Sequence, residues 1–274
     1  MRPRTWRTLT RIIFTVIVLF WTLFPVYLIV ITALKTYAET MSETPVFIFT
    51  PTMENFYHVL FERELVQNIL NSAIAVVGST LCSLGLGVSA AYALARYKFR
   101  GKENISNWIL SLRLLPPISI ILPIFVLFNF AGLLDTYAGL IIIYTLFNVP
   151  LVVWLMRSFI EDIPREIEES ASVDGCSPFG VFFRITLPLV AQGLVATAVL
   201  CTIFTWNEFL FAVVITSRNT VTVPPTLWNL VGQKRIYWNE IMAGSVIVMI
   251  PVLIFLILVQ KKLVTGLTWG AVKG

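Results

Sequence analysis

The chain has 274 residues, of which 57% are hydrophobic and only 13% are charged, and its formal net charge is +5. A soluble domain exposes most of its charged residues to water, and a chain this apolar has too few of them to cover such a surface. The composition therefore excludes a water-soluble domain and indicates an integral membrane protein.

Uncharged segments recur along the chain, and each has about the 20 residues that a helix needs to cross roughly 30 Å of hydrocarbon. The segments do not alternate with period two, so they fit helices and not the strands of a barrel. The sequence thus predicts a single all-α transmembrane domain, residues 1–274, with six helical spans. These spans are predicted at about 12–34, 66–95, 107–131, 137–157, 189–216 and 241–260.

Basic residues concentrate on one side of the predicted membrane. Of the 20 lysines and arginines, 14 fall in the segments 1–11, 96–105, 157–184 and 261–274. The positive-inside rule places these segments, and with them both chain termini, in the cytoplasm. The first span is too long for the apolar core of a signal peptide, so we expect it to be retained as an anchor.

The third span is interrupted by Arg113 and by the pair Pro116–Pro117. Adjacent prolines remove backbone donors, so we expect the helix to bend or break there, where protein or water satisfies the freed carbonyls. Arg113 lies near the cytoplasmic end of the span. Its side chain either reaches the cytoplasmic interface or faces an aqueous cavity or an acid.

Asn207 and Glu208 lie inside the fifth predicted span. A carboxylate at this depth is rare and by default indicates a functional site. Two interpretations follow for Glu208. It lines or gates a translocation pathway together with Arg113 and Asn207, or it is a structural clamp that is hydrogen-bonded to a neighbouring helix.

The cytoplasmic loop predicted at 159–188 contains signals for two short helices. Pro164 is typical of a helix start, and Gly175 suits the left-handed residue just after a helix end. Ser177 followed by Pro178 is typical of the cap and first position of a second helix. Two short helices at a glycine corner form a stiff bracket, for which docking of a partner is favoured over a packed loop.

The sequence contains none of the motifs of an enzyme. It lacks the phosphate-binding pattern G-x-x-x-x-G-K-[ST], H-E-x-x-H and G-x-S-x-G. A lone His58 and three scattered cysteines provide no triad and no metal-ligand spacing. We therefore predict no catalytic, metal or cofactor site in this chain, and no feature indicates nucleic acid as a partner. An energised transporter built from it needs a separate ATPase that binds ATP and Mg.

Three separated segments carry a family resemblance. The polar stretch resembles the EAA motif of binding-protein-dependent ABC importer permeases, with Ser170 in place of the first alanine. Trp206–Phe209 and the ending Gly266–Gly274 resemble the carbohydrate branch, the subfamily of the second maltose-transporter permease. The residues that match the EAA motif are Glu169, Ser170, Ala171, Asp174, Gly175, Phe182, Ile185, Leu187, Pro188 and Leu189.

The resemblance implies a type I importer fold in a bacterial or archaeal cell (inner) membrane. It implies a second, homologous permease subunit, two cytoplasmic ATPase subunits and an extracytoplasmic solute-binding protein. It also implies that the polar stretch contains a coupling helix seated in the ATPase, formed by Glu169, Ser170, Ala171, Asp174 and Gly175. The ending Gly266–Gly274, within the C-terminal tail 261–274, is expected to touch the ATPase as well.

The function implied is the import of a sugar or a related polyol or glycerol-derived solute by alternating access. The alternative is a secondary transporter or channel that works without ATP. Inverted repeats or several intramembrane acids are typical of that class, and the sequence has only Glu208 and no convincing repeat.

Overall fold

The computed structural model describes residues 3–231 and 236–269, with side chains described for residues 8–231 and 236–260. Within these ranges the chain is helical and has no strand beyond a single antiparallel bridge between Val231 and Ile236. The helices are α1 Pro3–Ala33, α2 Tyr37–Thr40, α3 Glu54–Tyr57, α4 Leu65–Arg96, α5 Lys102–Ser111, α6 Pro117–Phe130, α7 Tyr137–Glu161, α8 Arg165–Val173, α9 Pro178–Val181, α10 Leu187–Leu189, α11 Ala191–Trp206, α12 Leu210–Ile215, α13 Val223–Asn229 and α14 Trp238–Trp269.

Four helical segments of the described chain are long and apolar enough to cross a membrane: Thr8–Ala33, Leu65–Arg96, Tyr137–Glu161 and Trp238–Gln260. Two further crossings result if each of two bent helix pairs is counted as one span. The chain therefore has between four and six apolar crossings, and the two bent pairs decide the number.

The third predicted span, 107–131, is two helices in the structure. A turn of 3₁₀-helix from Leu112 to Leu114 follows α5, and α6 begins at Pro117, so the two arms meet at 95°. Pro117 occupies the first turn of α6, where its missing N–H has no partner to lose. The bend thus lies at the double proline.

The fifth predicted span, 189–216, also differs from a single helix. It consists of α11 and α12, separated by the three residues Asn207–Phe209. On its other side, the segment Pro178–Leu189 meets α11 at 76°. Two other predicted spans end too early, because α7 continues past residue 157 to Glu161 and α14 continues past residue 260 to Trp269. The predicted ATPase contact of Gly266–Gly274 lies outside the described side chains.

The chain divides into two compact units. The first comprises residues 1–66 and 226–252, and the second comprises 67–225 and 253–274. In the first unit the buried Asn55 fixes the end of α1, because its Nδ2 donates to the carbonyls of Ala33 at 2.7 Å and Lys35 at 2.8 Å. Asn239 Nδ2 donates in turn to Asn55 Oδ1 at 2.6 Å.

Close helix packing builds the second unit. Two glycines of α4 face side chains of α7. A Cβ atom added to Gly78 would lie 2.6 Å from Ile141 Cδ1, and one added to Gly87 would lie 2.5 Å from Val152 Cγ1. These glycines therefore allow the two backbones to approach, as small residues do in membrane helices.

Arg157 holds α5 against α7 in the same unit. Its Nε bonds Glu161 at 2.8 Å, and its remaining nitrogens reach Ser106 Oγ at 2.6 Å and Glu103 Oε1 at 3.2 Å. The α5 arm is thereby tied to a long helix instead of projecting alone.

Asp135 ties together two loops at one end of the second unit. Its carboxylate accepts bonds from the backbone N–H groups of Ser217, Arg218, Asn219 and Thr220, all at 3.0–3.2 Å. Partial burial acts to raise the pKa of Asp135, but the hydrogen bonds outweigh it and hold the pKa well below its usual range. The loop before α7 is therefore fixed to the loop after α12.

Candidate functional site

The first candidate site is the bracket, defined here as residues 165–189. Its first arm, α8, ends at Val173, and Gly175 follows with a φ of +88°, a conformation that glycine adopts at little cost. The Cys176 N–H donates to the carbonyl of Ala171 at 3.0 Å and closes the corner. Ser177 Oγ accepts the N–H of Gly180 at 3.2 Å and caps α9.

A buried ion pair anchors the bracket to α4. Arg96, the last residue of α4, donates from Nε to Glu168 Oε2 at 2.8 Å, and both side chains are about nine-tenths buried. A second Arg96 nitrogen bonds the carbonyl of Ile163 at 3.0 Å. Thr186 Oγ1 donates to Glu168 Oε1 at 2.7 Å, so each carboxylate oxygen has its own donor. One carboxylate thus joins α8, α4 and the far arm of the bracket.

The residues predicted to contact an ATPase lie on the other side of α8. Glu169, Ser170, Asp174 and Gly175 are exposed, and Ala171 is half-buried. Five large apolar side chains of the bracket are exposed as well, namely Ile167, Val173, Phe179, Phe183 and Leu189. Val173 is 88% exposed, which is unusual for a branched apolar residue in a packed loop. The bracket therefore has one face fixed to the helices and one face open for docking.

The second candidate site is a cavity of about 250 Å³ within the second unit. Arg113 and Glu208, two residues predicted to belong to the pathway, both line it. Its other polar lining residues are Tyr144, Asn148 and Thr205, and aromatic rings are supplied by Phe147, Phe204 and Phe211. The structure does not place Asn207 with them, since its exposed side chain donates to the carbonyl of Ile203 at 2.8 Å.

Glu208 occupies the break between α11 and α12. Its two carboxylate oxygens accept the N–H groups of Phe211 at 3.0 Å and Ala212 at 3.1 Å. These bonds satisfy the first turn of α12, so Glu208 caps a helix inside the predicted span. The side chain nevertheless lines the cavity, and a carboxylate with two bonds still has acceptor sites to spare.

Arg113 stands at the bend between α5 and α6. Its guanidinium carbon lies 4.8 Å from the centre of the Phe204 ring, which is a cation–π contact. Within the described side chains, Arg113 forms no ion pair. Arg113 lines the cavity, and its predicted role in the pathway stays a prediction.

Glu168, Arg96 and Thr186 were missed by sequence reasoning. Glu168 is separated from Arg96 by 72 residues in the chain. No local pattern distinguishes it from the exposed Glu166 and Glu169. The one available signal was that Arg96 ends an otherwise uncharged span and would need a partner there.

No group of histidine, cysteine and acidic side chains in the described chain is arranged to hold a metal ion. The helices, the cavity and the bracket together define a membrane permease subunit. The model of the family described as binding-protein-dependent transport system inner membrane component matches residues 83–269. The chain belongs to this family, and the resemblance found in its sequence is confirmed.

Relatives match over nearly the whole chain. The ABC transporter permease protein y4oR of Sinorhizobium fredii is 38% identical over 270 residues, which are 98% of this chain and 97% of that protein. The trehalose transport system permease protein SugB of Mycobacterium tuberculosis is 35% identical over 229 residues, 82% of this chain and 83% of its own length.

A solved structure shares the fold. The crystal structure of a bacterial ABC transporter involved in the import of the acidic polysaccharide alginate contains a chain that superposes with a TM-score of 0.75 at 24% identity. The match covers 94% of this chain and 96% of that chain. The predicted all-α, type I importer fold is thereby confirmed.

Proposed function

We propose that this chain forms half of the translocation pathway of an ATP-driven importer for a sugar or a related polyol or glycerol-derived solute. The relative SugB is named for trehalose, and the structural neighbour imports alginate, so both handle carbohydrates. The polar cavity in the second unit supports a hydrophilic solute, because buried polar groups facing hydrocarbon would be costly.

The transporter would contain a second, homologous permease subunit and two cytoplasmic ATPase subunits that bind ATP and Mg. An extracytoplasmic protein would deliver the solute, as the family description implies. The distribution of lysine and arginine supports a cell membrane location with both chain termini in the cytoplasm.

The observation that carries the proposal is the two-sided bracket. Its open face presents Glu169, Ser170 and Val173, while its other face is fixed by the Arg96–Glu168 pair. When ATP closes the ATPase dimer, a push on the open face would move α8 and α4 together. Such a rigid connection lets ATP binding shift the permease between its inward-facing and outward-facing states.

Purification of the chain with its native partners tests the function. We expect a cytoplasmic ATPase to co-purify, and we expect solute uptake by proteoliposomes to require ATP. Uptake by the chain in the absence of ATP and of any ATPase would identify a secondary transporter or channel and contradict the proposal.

The corner glycine tests the coupling role. Gly175→Pro should abolish uptake, because proline is confined to a φ near −65° whereas Gly175 has +88°. Gly175→Asn is the matched control, since asparagine tolerates the left-handed region, and it should retain uptake. Both variants should reach the membrane in normal amounts. Normal uptake and ATPase association in Gly175→Pro would refute the coupling role.

Charge reversal at the end of α8 separates docking from folding. Asp174→Lys places a cation where the helix dipole favours it, so α8 should be as stable as before. Asp174 is exposed, and its replacement should nevertheless abolish uptake by disturbing the docking face. The measurements are uptake and co-purification of the ATPase.

A further inference from the structure

The cavity in the second unit has the chemistry of a solute subsite and not only of a passage. Its volume of about 250 Å³ is slightly below the roughly 300–1,000 Å³ that is usual for small-molecule sites. One sugar ring or a short polyol fits this size better than a whole disaccharide does. Resting on the proposed function, we infer that this cavity holds one uncharged, polyhydroxylated ring of the solute during its passage.

The floor of the cavity provides groups that both donate and accept hydrogen bonds. Asn148 and Thr205 are at most 6% exposed and line the cavity. Asn148 Nδ2 donates to Thr205 Oγ1 at 2.8 Å, which links α7 to α11. The pair retains a second amide hydrogen, an amide oxygen and the threonine hydroxyl hydrogen for other partners. A helix–helix clamp alone would not need to line a cavity.

The charges of the cavity lining favour an uncharged ligand. Arg113 supplies only donors, and the Glu208 carboxylate supplies only acceptors beyond the two N–H groups that it caps. A sugar hydroxyl matches both residues, because it accepts from the guanidinium and donates to the carboxylate. An anionic solute would pair with Arg113 but would be repelled by Glu208, so the site discriminates against it.

Aromatic rings complete the match to a sugar. Phe147 and Phe211 lie 4.6 Å apart between ring centres, and Phe204 supports the guanidinium of Arg113. The C–H face of a pyranose ring is apolar and packs on such rings, while its hydroxyl groups point outward to the polar groups. The combination of apolar walls with a few convergent polar groups is typical of small-molecule sites.

Protection of a cysteine from labelling tests the inference in the complete transporter. Cys82 and Cys176 are replaced by serine and the buried Cys201 by alanine, and a reporter is introduced as Leu115→Cys, which lines the cavity. Its adjacent control is Leu114→Cys, which is 83% exposed and is not part of the lining. A small methanethiosulfonate reagent then labels each variant without sugar or with glucose, trehalose or galacturonate.

We expect glucose and trehalose to slow labelling of Leu115→Cys but not of Leu114→Cys, and galacturonate to protect less. Concentrations up to about 100 mM are needed, because a site that releases its solute binds it weakly. Adding Thr205→Val should raise the half-protecting glucose concentration about three- to tenfold, because one hydrogen bond is lost. Adding Thr197→Val, a buried threonine of the same helix that is outside the lining, should leave it unchanged.

Three results would overturn the inference: no protection by either neutral sugar, equal slowing at both leucine positions, or stronger protection by galacturonate than by glucose. The labelling requires no ATP hydrolysis, so it is independent of the coupling test. Absent protection together with ATP-driven uptake would remove the subsite and leave the proposed function intact. Protection of Leu115→Cys in a chain that associates with no ATPase would instead support the subsite and contradict the proposed function.

Discussion

Arg96 and Arg113 both stand at helix ends in the second unit, and the two regions use the same cation in opposite ways. The Arg96 side chain is deeply buried and donates to two partners, the Glu168 carboxylate and the Ile163 carbonyl. Thr186 donates to the other oxygen of the same carboxylate. Arg113 is exposed to a cavity, rests on the Phe204 ring and has no ion-pair partner in the described chain.

The difference matches the two roles proposed above, coupling for the bracket and solute binding for the cavity. A segment that transmits a push must not yield, and a buried charge that is fully hydrogen-bonded resists displacement because separation would leave it unpaired. A segment that binds and releases a polar solute must keep donors and acceptors available. The bracket has the first property and the cavity has the second.

Replacing each arginine by glutamine is the strongest test of the difference between the two regions. Arg96→Gln should lower the stability of the transporter by about 3 kcal/mol, because it leaves Glu168 as a buried, unpaired carboxylate. Arg113→Gln should change stability by less than about 0.5 kcal/mol, because Arg113 is accessible and its replacement leaves no buried charge unpaired. Thermal unfolding of the purified complex measures both changes, and uptake should fall in both variants.

The two arginines would have equivalent roles if Arg113→Gln lowered the unfolding temperature as much as Arg96→Gln. That result would contradict the distinction between a transmitting and a binding region. Arg157→Gln serves as a reference, since Arg157 is partly exposed and paired with the exposed residues Glu103 and Glu161.

Removing one donor from Glu168 sharpens the description of the bracket. Thr186→Val keeps the side-chain shape and deletes the bond to Glu168 Oε1, which should cost about 1.5 kcal/mol for a bond to a charged acceptor. Arg96 still pairs with the other oxygen, so uptake should be reduced and not lost. A loss of stability as large as that of Arg96→Gln would mean that the threonine, and not the ion pair, holds the bracket.

Asp135 shows a third way of stabilising a charged side chain, because backbone N–H groups donate to its carboxylate. Its pKa is lowered in the folded protein, so its contribution to stability is complete above the ordinary aspartate pKa of about 3.9 and is lost as the pH falls toward the lowered value. The difference in unfolding temperature between the unchanged protein and Asp135→Asn should be constant from about pH 8 to 5 and should narrow below about pH 4. A difference that disappears between pH 8 and 6 would contradict this account.

Much of the fold was predictable because membrane helices are encoded by the spacing of charges. The predicted spans at 66–95, 137–157 and 241–260 each lie within one helix of the structure, and the span at 12–34 ends one residue beyond α1. The double proline marks the bend in the third span. The break at Asn207–Phe209 was not predictable, since it contains neither proline nor glycine. It depends on Glu208 capping α12, which only the folded structure reveals.

The candidate sites were also predictable only where their residues leave a local signal in the sequence. The corner at Gly175 and the cap at Ser177 are local signals, and the structure has both. The role of Glu168 depends on Arg96 and Thr186, which are distant in sequence, and Asp135 depends on a loop more than 80 residues away. Long-range partners of single charged residues leave no local pattern.

The most direct test of the central claim, that the bracket couples this permease to an ATPase, is cross-linking at its open face. Ser170 is exposed on α8, and a thiol-to-amine cross-linker applied to Ser170→Cys, with the three native cysteines replaced, should yield an adduct with the ATPase subunit. Ser42→Cys, exposed on the segment that is predicted to face outward, should yield none. ATP-driven uptake without any ATPase adduct from Ser170→Cys would contradict the claim.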